Sequence, residues 1–171
     1  KDKLNLQVQK NKLQFCKFVF MNEETLILVN EADEEIGQMA KLEAHQKGIL
    51  HRAFSLFIFN SKGELLLQQR AMHKYHSPGL WTNTCCSHQR AGETNKEAGK
   101  RRLAEEMGFS CELKEVFNFI YKASFDNGLT EHELDHVMVG QYEADPVMNT
   151  EEVMGLKWIT LSALKQDMEK H

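Results

Sequence analysis

Proline is nearly missing from this chain of 171 residues, with Pro78 and Pro146 its only two. There is also no Pro/Gly-rich linker, internal repeat or low-complexity block. A boundary between two folded domains is therefore not expected, and the length suits one domain with a sizeable core. Cysteines are few: Cys16, Cys85, Cys86 and Cys111 form no CxxC pair and no disulfide framework. Adjacent strand residues face opposite ways, so Cys85 and Cys86 are poor partners for each other. Reduced thiols in a reducing, cytoplasmic compartment are expected. No stretch nears the roughly 20 apolar residues of a membrane span, and the polar opening Lys1–Lys12 lacks a secretory apolar region. Cations are not in excess: 21 Lys and Arg stand against 25 Asp and Glu, a net charge of -4. That balance speaks against a nucleic-acid partner. An anionic ligand would need a local basic pocket.

Residues 1–22 read as an N-terminal arm and 23–171 as a single domain. Thr25–Asn30 reads as a buried strand and Asp33–Gly37 as a turn. Ala53–Phe59 and Glu64–Gln69 read as a hairpin joined by Asn60-Ser61-Lys62-Gly63. His76–Gly79 is a loop and Leu80–Cys86 a short strand. Thr94 or Asn95 can cap a helix that runs to Met107 and stops at Gly108. Val116–Lys122 and Leu134–Tyr142 pair as strands around a loop at Asp126-Asn127-Gly128. Leu156–Thr160 is a last strand, and Ser162 can cap a final helix. Many strands with a central and a late helix indicate α+β rather than regular βαβ alternation.

Two groups of residues could carry chemistry. On the central helix, Arg102 and Glu106 lie four apart, as do Arg101 and Glu105, so each pair shares a face. By themselves such pairs are ordinary surface ion pairs worth a few tenths of a kcal/mol, on the order of 0.3–0.5. The other group is rich in histidine and carboxylate: His45, His51 and His88, with Glu131 and Glu133 two apart on one strand face. Three imidazoles and two carboxylates make a reasonable set for Mn²⁺, Mg²⁺ or Zn²⁺. His73, His76, His132, His136 and His171 are read as structural or exposed.

The helix and its flanks resemble the Nudix box of diphosphate-processing enzymes, through Glu93, Arg101, Leu103, Glu105, Glu106, Gly108 and Phe109. Two positions depart: Ser87 stands where that pattern has Gly, and Arg102 where it has a metal-binding Glu. A cation there suits phosphate gripping better than a carboxylate cluster for hydrolysis. The segments Leu50-His51-Arg52-Ala53-Phe54-Ser55, Leu66-Leu67-Gln68-Gln69-Arg70, Trp81-Thr82-Asn83-Thr84-Cys85-Cys86-Ser87-His88 and Glu131-His132-Glu133 look like the type 1 isopentenyl diphosphate isomerases. The likeness runs from about Thr25 to about Thr160 and implies a Nudix-type fold, mixed β-sheets flanked by helices.

The resemblance implies residue roles as well. Cys86 and Glu133 match the catalytic pair that exchanges protons on opposite faces of an alkene, through a tertiary carbocation-like state. Tyr121 matches a tyrosine that assists the glutamate. His45, His51, His88, Glu131 and Glu133 match a divalent-metal site. A Mg²⁺ carried with the substrate diphosphate matches the Cys86 carbonyl and Glu106. Lys41, Arg70, Lys74 and Arg102 match diphosphate-binding cations. The partner is thus a small homoallylic or allylic diphosphate, with no membrane. Family members continue past the last helix to a Trp that shields the cation. The chain ends at His171, so either it is cut short or Trp81, Tyr121 or Phe54 takes that part. Other readings are a Nudix hydrolase of another diphosphate, an inactive Nudix-fold binding module and a metal-binding scaffold.

Overall fold

A computed structural model of the protein describes residues 24–74 and 77–170. The proposed N-terminal arm, Cys16, His76 and His171 lie outside the described residues.

The strands are β1 (Thr25–Val29), β2 (Glu35–Ala40), β3 (His51–Phe59), β4 (Glu64–Arg70), β5 (Trp81–Thr82), β6 (Cys85–Ser87), β7 (Leu113–Ser124), β8 (Thr130–Gln141) and β9 (Val153–Thr160). The helices are α1 (Lys41–Lys47), α2 (Asn95–Met107) and α3 (Leu161–Met168). The hub is β3. It runs parallel to β8 from His51↔Glu133 to Phe59↔Gln141 and antiparallel to β6, with β1 and β4 joining at its two ends. Strand β7 continues the sheet beyond β8, and β9 lines β4. The expected α+β mixed sheet is observed.

Alternation along β3 divides its residues between two faces. Phe54, Leu56 and Ile58 join Met138 of β8 and Cys85 of β6 in a core closed by Ala98, Leu103 and Met107 of α2. The helix lies so close that a Cβ on Gly99 would meet Leu113 Cδ1 at 2.7 Å, so glycine here serves packing. Thr94 caps α2, and Thr94 and Glu97 form a reciprocal capping box. Gly108, at φ 69°, ends the helix in the left-handed conformation. The backbone NH groups of Val147 and Asn149 then donate to the Met107 and Glu106 carbonyls, satisfying the helix end.

Several elements differ from the sequence reading. The turn lies earlier than Asp33–Gly37, because the Asn30 side chain accepts from the backbone NH groups of Ala32 and Glu34 and closes a loop. Glu35 onward is already strand, and α1 follows it directly; neither element was expected. Leu80–Cys86 is two short strands, since β5 pairs with β4 whereas β6 pairs with β3. Asn83 stands between them and donates to the Leu56 and Cys85 carbonyls. Thr160 rather than Ser162 caps α3, accepting from the Ala163 NH at 3.2 Å. Phe54 is fully buried in the core beneath the sheet, so it cannot shield a cation in the cavity described below.

Arg101 forks onto Glu93, with Nε to Oε1 at 2.7 Å and Nη2 to Oε2 at 2.8 Å, fastening the loop before α2 to the helix. That bond holds the Glu93 carboxyl below its ordinary 4.5. The depressed value makes the contribution to stability full above the unfolded-state value and lost as pH falls through the folded one. Glu93→Gln should therefore flatten the acid limb of a stability–pH curve below about pH 4.5, measured by urea unfolding; an unchanged acid limb would rule this linkage out. Thr94→Ala should cost about 1 kcal/mol in the same assay.

Candidate active site

The register of β3, β8 and β7 sets His51, Glu133 and Tyr121 side by side in one row across three strands. Two residues further along β8, Asp135 shares the face of Glu133, and Ser55 of β3 sits opposite Cys86 of β6. Cys86 and His88 thus return to the face that carries Glu133, while Cys85 turns into the core.

Helix α1 supplies His45. Gly48, at φ 60°, ends that helix in the left-handed conformation and swings the chain back toward His51. A Cβ at Gly48 would also press on Thr130 Cγ2 at 3.2 Å. The three imidazoles gather with ring centroids 5.0 Å apart for His45–His51, 5.2 Å for His51–His88 and 6.1 Å for His45–His88. One potential ligand atom from each of these histidines and from Glu133 lies within 4.8 Å of the others, and all four residues are buried.

The chemistry of these donors fits a divalent ion. His45 Nδ1 donates to the Lys41 carbonyl at 2.6 Å and His51 Nδ1 to the Ile49 carbonyl at 2.8 Å. A carbonyl can only accept, so each Nδ1 carries the proton and each Nε2 is left with a bare lone pair. His51 Nε2 is buried with no hydrogen-bond partner. Burial pushes His45 and His88 down from the ordinary histidine value, favouring the neutral form that metals require. Burial alone would raise Glu133, but the bonds to His88 and Tyr121, with the His51 imidazole 3.5 Å away, hold its carboxyl well below the ordinary value. Glu131 stands outside this compact group of four. The Tyr121 hydroxyl lies between the two carboxylates, 2.7 Å from Glu133 Oε2 and 3.1 Å from Glu131 Oε2.

Cys86 opens onto a cavity of about 860 Å³. The residue is exposed there, while the protein around its thiol strips away much of its hydration. The sulfur lies 2.8 Å from Asn83 Oδ1 and 3.4 Å from Ser55 Oγ. Burial pushes the thiol up to about 11, so it holds its proton at neutral pH. Ser55 Oγ also donates to Asp135 at 2.8 Å, and burial raises that carboxyl to about 6. Cys85 is fully buried and donates to Glu106 Oε1 at 3.3 Å.

Every cation expected for diphosphate lines the same cavity: Lys41, Arg70, Lys74 and Arg102. Lys41 bonds Glu24 at 2.9 Å, and Lys74 bonds Glu152. Arg102 reaches Glu105 at 2.8 Å, Glu106, and Glu152 at 3.4 Å. The Arg102–Glu106 pair is not a surface pair, for the Glu106 side chain is only 5% exposed. Glu106 Oε2 also accepts from Gln68 Nε2 at 2.9 Å. Trp81 and Tyr121 border the cavity, while Trp158 packs against the core. His136, read from sequence as structural or exposed, is buried and bonds Glu115 at 2.7 Å.

Sequence reasoning gave no role to Ser55, Asn83 and Gln68, although they lie in its motif segments, and missed Asp135, Glu24 and Glu152. Asp135 had a usable signal, its spacing of two from Glu133. Glu24 and Glu152 come from segments with no motif and are found only through the cations they meet.

A NUDIX domain model matches residues 49–171. The crystal structure of DR0079 from Deinococcus radiodurans superimposes with a TM-score of 0.71 at 23% identity, covering 86% of this chain and 90% of that one. A MutT protein from Methanosarcina mazei gives 0.59 at 20% identity, covering 68% and 81%. Both likenesses establish the fold. Isopentenyl-diphosphate Delta-isomerase 2 of Photorhabdus laumondii is 53% identical over 143 residues, 84% of this chain and 81% of that protein. The isopentenyl-diphosphate Delta-isomerase of Serratia proteamaculans is 50% identical over 149 residues, covering 87% and 83%. Within the Nudix fold, the chain therefore belongs to the isopentenyl-diphosphate Delta-isomerase family. Among the described residues no helix is long and apolar enough to cross a membrane.

If the four buried donors hold an ion, His51→Ala removes one nitrogen and exposes no new charge. The purified variant should retain far less than a full equivalent of tightly bound Zn²⁺ or Mn²⁺ by elemental analysis, with the far-UV dichroism unchanged. Affinity of the unaltered protein should fall as pH drops, because protons compete for the imidazoles. Full metal retention by the variant would exclude His51 as a ligand.

Proposed function

We propose that this protein converts isopentenyl diphosphate to dimethylallyl diphosphate, in isoprenoid biosynthesis, by protonation and deprotonation at Cys86 and Glu133. The observation that carries the mechanism is electrostatic. A thiol that keeps its proton and a carboxylate that has lost its own line one cavity, together with a cluster of cations.

Moving the double bond requires one proton to be added at the terminal alkene carbon and another to leave the neighbouring saturated carbon. Between them Cys86 and Glu133 carry one acidic proton at rest, and it sits on sulfur. Transfer to the alkene leaves a tertiary carbocation-like centre; loss of a proton to the second group restores a neutral alkene. Mass and charge then balance, with the proton exchanged between the two residues. General acid–base help of this kind is worth about 10²–10⁴-fold for each positioned group. Tyr121, between Glu131 and Glu133, gives the carboxylate a hydrogen-bonded path for exchange. Ser55 and Asn83 hold the thiol in place.

The proposed metal ligands are His45, His51, His88 and Glu133, with Glu131 as a fifth. This nitrogen-rich set suits Zn²⁺ or Mn²⁺ better than Mg²⁺. Bound there, an ion would fix the Glu133 carboxylate and favour its ionised form. A second ion, Mg²⁺, would accompany the diphosphate at Glu106 and the Cys86 carbonyl. Lys41, Arg70, Lys74 and Arg102 would hold the phosphate oxygens. Arg102 replaces a box carboxylate, and Arg102, Cys85 and Gln68 all engage Glu106, which disfavours multi-metal hydrolysis. A cytoplasmic setting accords with thiols left free at Cys85, Cys86 and Cys111.

Incubation with isopentenyl diphosphate, Mg²⁺ and D₂O, followed by NMR, should give deuterated dimethylallyl diphosphate without free phosphate. Cys86→Ala should lower turnover at least ~10²-fold, with metal content unchanged. Wild-type turnover in that variant would sink the assignment of Cys86, and phosphate release would indicate a hydrolase.

A further inference from the structure

We propose that Glu152 is an internal counter-anion of the diphosphate subsite, a carboxylate that holds Lys74 and Arg102 until the diphosphate displaces it. The idea rests on the isomerase reading for its ligand. Its geometry stands separately.

A single oxygen, Glu152 Oε2, receives both Lys74 Nζ and Arg102 Nη2. These cations come from different segments, one from the loop after β4 and one from α2. One anionic oxygen between them occupies the position that a phosphate oxygen would take. Glu152 lines the cavity, and its side chain is 26% exposed, so an incoming anion can reach it. The two cations hold its carboxyl below the ordinary value against the opposing effect of burial. Lys41, another cation of the cavity, is likewise held by a carboxylate, Glu24, at 2.9 Å.

Only the side chain of Glu152 needs to move. Its NH donates to the Asn149 carbonyl at 2.9 Å, and its own carbonyl accepts from the Ala71 NH at 3.1 Å. The Asn149 NH in turn binds the Glu106 carbonyl at the end of α2. A rotamer change would free Lys74 while Arg102 keeps Glu105 and Glu106, so the fold does not depend on the pair. A partly exposed ion pair of this kind contributes little to stability.

The reaction gives such a device a use. Substrate and product carry the same diphosphate, so tight binding of that group favours both equally and does not lower the chemical barrier. Excess affinity would slow product release. A carboxylate that competes for the same cations weakens binding of both and refills the subsite as product leaves.

The test compares wild type, Glu152→Gln and Glu152→Asp, each checked by thermal melting. Calorimetric titration with inorganic pyrophosphate and Mg²⁺ gives the affinity, and steady-state kinetics give kcat and KM. Glu152→Gln should bind pyrophosphate roughly three- to tenfold more tightly and lower KM in step, with kcat reduced by slower product release. Glu152→Asp keeps the charge but draws it back by one methylene, so its pyrophosphate affinity should fall between those of wild type and Glu152→Gln. Unchanged or weaker pyrophosphate binding in a folded Glu152→Gln would overturn the proposal, because a residue that only positions the cations would lose affinity on removal. Absence of isomerase turnover in the wild type would instead remove the isomerase reading, and the pyrophosphate comparison would then decide the counter-anion role by itself.

Discussion

The site depends on the parallel register of β3 and β8. Parallel pairing places His51 directly beside Glu133, and the antiparallel β7–β8 ladder places Tyr121 on the other side of the same carboxylate. A slip of one residue in either ladder would turn an entire row to the opposite face. It would put Leu134 where Glu133 now meets His51. The slip is opposed by the core on the other face, where Phe54, Leu56 and Met138 fill the space under α2. Hydrophobic packing therefore fixes the alignment of the polar groups, and those groups need not provide the energy that holds them.

Concentrating so many ionisable groups in one cavity raises a second constraint. An unpaired buried charge is costly, so each carboxylate here has a partner suited to its depth. Glu133 is met by two imidazoles and a phenol; Glu106 by an amide, a thiol and a guanidinium. The pairing drives neighbouring groups apart in acidity. Glu133 falls, whereas Glu131, close to that charge and partly buried, rises. Cys86 rises through burial, with the nearby acids Asp135 and Glu133 adding to the effect. A thiol that holds its proton beside a carboxylate that does not is the resting state a proton-exchange reaction requires.

The ends of the central helix and the shared face of two carboxylates were legible locally, whereas Cys86, Tyr121, Lys41, Arg70 and Lys74 entered only through the family resemblance. Thr94, Glu97 and Gly108 mark the ends of α2, and spacing alone placed Glu131 and Glu133 on one face. Helix α1 and strand β2 escaped notice for an equally local reason. Seven residues with no side-chain cap and few apolar positions form α1, so its stability comes from contacts elsewhere in the fold. The spacing of His45 and His51, with five residues between them, makes sense only once Gly48 is seen to reverse the chain between helix and strand. Asp135 and Ser55 were hidden in another way. Polar residues inside strands usually signal a solvated face, and only the β3–β6 and β3–β8 pairings show that this face is the floor of a cavity.

Arg102 shows how one departure from the Nudix pattern can redirect the chemistry of a shared helix. With a glutamate there, positions 102, 105 and 106 would crowd carboxylates onto little more than one turn and give a strongly negative face. With arginine, the guanidinium bridges Glu105 and Glu106 in cis and reaches Glu152 across the cavity. The helix face becomes mixed in charge, able to hold both a diphosphate and the cation that accompanies it. Bond cleavage at phosphorus would need metals and an activated water at the phosphate. In the proposed reaction the groups that move protons lie elsewhere, on the sheet, around Cys86 and Glu133. On that proposal the helix grips the diphosphate, and the sheet acts on the hydrocarbon end. That division of labour follows from having an arginine at one position of the helix and a thiol on the facing strand.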